Sequence, residues 1–255
     1  MQAAAFRNGV AEDHVEQETA NMSLDITVGI LAELEPDGES WAYFMSEFDK
    51  INRLLCLHGL PEHHEPPRLP KERPGWGWNM FYSSIHHLRR FAAHVYACNA
   101  LPEPIQEDAS QDAVLRRYPE RFRSCRPEGW LGKLLWRRSG GFSAGRFDHL
   151  ILHSDGDGYY IPVPFAEVIL DDQRLDLTGQ MLGSSQALMA ECERLADLLK
   201  LSLELDPDSE EVWAACDSPG GDTLWKEYGV ESFVCLTLYH ACRKSIEAGA
   251  AIVFH

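Results

Sequence analysis

The stretch from Glu231 to Ala248 constrains the fold more than any other. Phe233, Val234, Leu236, Thr237, Leu238 and Ala241 make a helix there apolar on more than one side. Such a helix is stable in water only when other elements cover it, so it is expected to be central. Three amphipathic patterns can supply that cover. Trp41, Phe44, Met45, Phe48, Ile51, Leu54 and Leu55 recur at helical spacing over Trp41–Leu55, with Ser40 as N-cap. Ile85, Leu88, Phe91, Ala92 and Val95 give a helix over Tyr82–Cys98 its buried side. Leu188, Met189, Cys192, Leu195, Leu198 and Leu199 line one face of a helix starting at Ser184 or Ser185. Gly249 stops the last helix, and residues 250–255 return as a short strand.

Ile26–Leu34 reads as the first strand, before a turn at Asp37 and Gly38. The order is strand, helices, mixed strands, helix, helix, strand. It does not alternate as a doubly wound sheet requires. The expected class is α+β, a mainly antiparallel or mixed sheet packed against several helices. One compact domain is expected over residues 22–255, and the 45% apolar content suffices for its core. Residues 60–75 hold five prolines, so no regular element can run through them. Residues 1–21 are polar and aperiodic and are expected to be a flexible extension, with Met22 as an alternative start.

His149–Phe165 places two histidines, two aspartates and two tyrosines beside an apolar run. It reads as a hairpin. Phe147–His153 forms one strand, Ser154–Gly158 the turn, and Tyr159, Ile161 and Val163 the second strand. Pro162 and Pro164 lack donors and point to a sheet edge. On a strand His149 and His153 lie about 13 Å apart, too far to share a metal ion. A calcium loop starting at Asp155 fails, because Tyr160 and Ala166 occupy the positions that need glycine and an acid. Tyr159 and Tyr160 are candidate groove residues for a substrate or peptide.

The formal charge is −17, which argues against a broad nucleic-acid surface and is compatible with a basic partner. The charge is segregated. Residues 111–146 carry nine basic residues against Asp112, Glu120 and Glu128. Their arginines either pair with acids elsewhere in the chain or receive an acidic or phosphate-bearing partner. Conversely, Glu204–Asp222 has seven acids and no lysine or arginine.

The candidate chemistry is sparse. His87 and His94 lie two helical turns apart with Arg90 between them, a pattern that can hold a phosphate or carboxylate. His86 points differently. His63 and His64 in the sequence Glu62–Glu65 are candidate metal ligands, above all if a helix histidine folds against them. Trp76 and Trp78 flank the proline-rich loop as candidate interaction residues. HExxH, GxSxG, Walker and dinucleotide motifs are absent. Ser184–Gln186 reads as a helix cap. Seven cysteines without a CxxC pair read as reduced thiols in a cytosolic chain. No apolar run reaches the ~20 residues of a membrane span.

The expected function is that of an intracellular binding protein whose partner is a basic protein, as for a bacterial protein that neutralises a basic toxin. No cofactor is expected and the oligomeric state is left open. The alternative is a hydrolase or phosphoryl-processing enzyme that uses His87, His94 and Arg90, with a transition metal at His63 or His64. It requires those side chains to converge on one ligand position.

Overall fold

The computed structural model describes residues 23–70, 76–125, 147–154, 156–172 and 174–255. The N-terminal extension expected over residues 1–21 and most of the basic segment lie outside them. Six strands among the described residues form one sheet in the order β2-β1-β6-β3-β5-β4. They are β1 (Ser23–Val28), β2 (Trp76–Phe81), β3 (Gly158–Ile161), β4 (Ile169–Leu170), β5 (Met181–Ser184) and β6 (Ile252–Phe254). Only β3 and β5 pair in parallel. The expected α+β class, one mainly antiparallel sheet packed against several helices, is what the chain adopts.

The strand period of two sorts side chains between two layers. Ile252 and Phe254 of β6 and Tyr160 of β3 join the larger core. Val253, Tyr159 and Ile161 join the smaller core on the opposite face. The smaller core is closed by α1 (Ile30–Glu33) and α2 (Glu39–Leu57), through Ile30, Leu31, Phe48, Ile51, Leu54 and Leu55. The larger is closed by α3 (Ser84–Cys98), α4 (Ala113–Cys125), α6 (Ser185–Leu199), α7 (Glu210–Asp217) and α9 (Gly229–Ala248). Helix α9 is central, as its apolar periphery requires, and packs against α6, α3 and α7. Its buried hydroxyls all find carbonyls: Thr237 donates to Phe233 at 2.9 Å, Ser232 to Trp225 at 2.8 Å and Ser245 to Ala250 at 2.6 Å.

The helix starting at Ser184 or Ser185 is α6, with Ser184 as its N-cap. The Ser184 hydroxyl accepts from the Ala187 N–H and donates to the Val163 carbonyl at 2.8 Å. This serine is structural. The first strand is shorter than its apolar run. Gly29 at φ 83 ends it, and Ile30 enters α1.

The expected hairpin at His149–Phe165 is replaced by other elements. Asp148–Ile151 is a short helix, α5, because tertiary partners take its free backbone donors. The Glu191 carboxylate on α6 accepts from the N–H groups of His149 at 3.0 Å and Leu150 at 2.8 Å. Tyr118 donates to the Asp148 carboxylate at 2.9 Å. Strand β3 lies inside the sheet between β6 and β5, not at its edge. Pro162 and Pro164 fall beyond its last residue, so their missing donors cost the ladder nothing.

Candidate binding surface

The acidic segment begins where α6 ends at Lys200, whose φ of 57 turns the chain. From Ser202 to Glu210 the sequence alternates. Glu204, Asp206, Asp208 and Glu210 are exposed, and Leu203, Leu205, Pro207 and Ser209 turn inward. Leu201, Leu203 and Leu205 pack on the larger core, which fixes the opposite side chains outward. Turns reinforce this order. The Asp208 N–H donates to the Asp206 carboxylate at 3.0 Å, and the Ser209 N–H to the Asp206 carbonyl at 2.9 Å. His240 on α9 reaches the Leu205 carbonyl at 3.3 Å.

Helix α7 continues the surface. Glu210 and Glu211 occupy its first turn, where the helix dipole favours carboxylates. Val212 and Ala215 bury its inner face. The helix can sit close to α9 because residue 229 is glycine. A Cβ there would lie 1.8 Å from the Ala215 carbonyl oxygen. All seven acids from Glu204 to Asp222 are exposed. One of them is partly neutralised, as Lys226 on α8 (Leu224–Glu227) pairs with Glu211 at 2.8 Å.

A second acidic run is written in the sequence as a gap in basic residues. No lysine or arginine stands between Ser23 and Asp49. Glu33, Glu35, Asp37 and Glu39 are all exposed there, around the turn between α1 and α2. This run belongs to the smaller-core side of the sheet.

The aromatic candidates divide. Trp76 and Trp78 lie on the edge strand β2, with rings stacked at 5.7 Å and 14°. They pack against the larger core through Phe233, 6.3 Å from Trp78. Phe233 also meets Trp213 of α7, at 4.9 Å. Tyr159 and Tyr160 are 1% and 2% exposed and cannot line a surface groove. Their interior strand explains this. Tyr160 donates to the His149 carbonyl at 2.6 Å, and its ring occupies the space where any side chain at Gly183 would fall.

The α3 candidates divide as well. Arg90 and His94, one turn apart on α3, both meet Asp112, at 3.2 Å and 3.0 Å. Asp112 also accepts from the N–H groups of Val114 and Leu115 and so begins α4. Burial raises its carboxyl pKa, but the Leu115 N–H, His94 and the Val114 N–H outweigh this and bring it below its ordinary value. Arg90 donates in addition to the Glu103 carbonyl at 3.0 Å. His87 does not join them. It is buried, and desolvation with the nearby Arg90 charge pulls its pKa down to about 4. Thus the α3 face expected to hold a phosphate or carboxylate is largely covered, and its Arg90 pairs with an acid of the same chain.

His63 and His64 separate. His64 is exposed. His63 is buried beside Phe48, with Nε2 2.7 Å from the Glu65 carboxylate. That carboxylate also accepts from the Ala251 N–H at 2.7 Å, and Asn52 makes two bonds to the His63 backbone. The proline-rich loop is thereby fastened to α2 and to the residue that precedes β6. His63 lies with Phe48 of the smaller core, on the sheet face opposite α3, so the α3 histidines do not complete a site with it. Among the described residues no group of three or more His, Cys, Asp or Glu is placed to hold a metal.

His149 and His153 are both internal. The His149 Nδ1 accepts from the Ser184 N–H at 3.1 Å, and its Nε2 donates to the Ala166 carbonyl at 3.3 Å. These bonds assign a neutral tautomer. Burial lowers its pKa to about 4. A cleft of about 340 Å³ opens near His153, lined by His86, Arg89, Ser110 and Arg116. Arg89 there donates to the Leu150 and Ser154 carbonyls. His87, Arg90 and His94 do not line it.

The described cysteines 56, 98, 192, 216, 235 and 242 are free thiols. Among the described residues no helix is long and apolar enough to cross a membrane.

Comparison with known proteins adds the family. No curated protein and no solved structure matches the chain. A protein-family model does, over residues 22–254, which takes in the whole sheet and both acidic runs. The family is described as "Putative DNA-mimic protein", and the chain belongs to it.

Proposed function

We propose that this protein neutralises a basic DNA-binding protein by offering its carboxylates where that protein would otherwise meet DNA phosphates. Duplex DNA is recognised at a distance by its line of negative charge, about one per 1.7 Å of axis. A folded chain competes for the same partner if it holds many carboxylates outward at fixed positions. One observation carries this reading. The acids from Glu204 to Asp222 are all exposed, while the residues between them in the loop anchor it to the core. Family membership supports it. The rigid mounting matters, because carboxylates on a flexible tail would lose more entropy on binding.

The test is displacement. Basic proteins of the host extract are retained on DNA-cellulose, and the purified protein is passed over the column. The expected result is selective elution of one or a few DNA-binding proteins, suppressed at high salt. Elution of nothing at low salt would overturn the reading.

A further inference from the structure

The aromatic row ends at the surface among the acids, and the sequence does not require it there. Trp213 keeps 36% of its surface exposed, although Phe233 lies 4.9 Å from its ring. Glu210 precedes it by three residues and Asp217 follows it by four, so all three share one face of α7. The indole is thus bracketed by two carboxylates. Asp217 stands at the C-terminal end of the helix, where the dipole opposes a negative charge. Among the described residues neither Glu210 nor Asp217 has a cationic partner, in contrast to Glu211 with Lys226. An exposed indole between two unneutralised carboxylates complements a planar cation.

We propose that Glu210, Trp213 and Asp217 form the anchor that receives an arginine side chain of the basic partner. The proposal rests on the function argued above and names the group that the surface selects. A guanidinium can lie flat on the indole while its edge donors reach the flanking carboxylates. A lysine ammonium is a point charge without that planar fit. Tryptophan and arginine are also the residues that most often dominate interface energetics. The remaining acids attract any cation, and the anchor discriminates between cations.

Octa-arginine and octa-lysine serve as probes, titrated calorimetrically at about 0.1 M salt, where screening sets in beyond about 10 Å. The protein is expected to bind octa-arginine about two- to fivefold more tightly than octa-lysine. Trp213→Leu is expected to abolish the preference, bringing octa-arginine affinity down to the level of octa-lysine. Trp213→Phe keeps a ring over Phe233 and is expected to retain part of the preference, which covers the case of an unfolded leucine variant. Equal affinity for both peptides, or a preference that survives Trp213→Leu, would overturn the anchor and leave the acidic surface standing. Binding of neither peptide would instead overturn the functional reading beneath it.

Discussion

At the scale of single residues, polar groups in the interior behave as positioning devices. His153 is 4% exposed, its ring stacked on Tyr160 at 4.9 Å and 7°, and its Nδ1 donates to the Ser154 carbonyl at 2.6 Å. Burial, with the nearby Arg89 charge, lowers its pKa to about 3. The folded state therefore binds the His153 proton less readily than the unfolded state, whose histidines titrate near 6.5. Its contribution is complete above pH 6.5 and is lost as pH falls toward 3. For His153→Phe, we expect the stability deficit relative to wild type to shrink on acidification from pH 6.5 to 4, by up to about 1.4 kcal/mol per pH unit. Denaturant titrations at several pH values check this. At Asp112, replacement by alanine strands His94, Arg90 and two backbone donors. It should cost about 1–3 kcal/mol in the same assay without weakening binding of a basic partner. These roles were hard to read in the sequence. Spacing put Arg90 and His94 on one face, but their shared acid stands just before α4.

Secondary elements were legible wherever one periodicity ran long enough. Helices α2, α3, α6 and α9 all lie where their apolar stripes placed them, with shifts only at the ends. The segment from Phe147 to Val163 was not legible in this way. Its alternation suited a strand, but Glu191 and Tyr118, distant in sequence, supply the partners that make Asp148–Ile151 helical. Two prolines after β3 imitated an edge strand that the topology places inside. Strand β2 was missed, since glycine and tryptophan alternate there without a long apolar run. For the candidate surface, the acidic segment was visible from charge alone. Its outward alternation depends on the leucines that pack beneath it. One close approach mounts α7, so Gly229→Ala should displace that helix. The expected cost is about 1–3 kcal/mol of overpacking, seen as a lowered Tm, together with weaker binding of the basic partner.

At the scale of the whole molecule, charge and fold are arranged separately. A two-sided sheet and the central α9 hold the structure, and the exposed acids of the two runs lie on loops and helix ends around it. The surface can therefore be changed without touching the core. Substitution of Glu204, Asp206, Asp208 and Glu210 by their amides should change stability by no more than about 0.5 kcal/mol per site, as for surface changes generally. It should selectively remove affinity.

The most direct test of the central claim uses this fourfold variant. A DNA-binding protein eluted by the wild type is held on a labelled duplex, and the concentration of competitor needed to release it is measured at low and moderate salt. Wild type is expected to displace the DNA, with displacement weakening steeply with salt, and the folded variant is expected to require far more protein. If the variant releases the DNA-binding protein as well as wild type does, the acidic surface is not what the partner recognises.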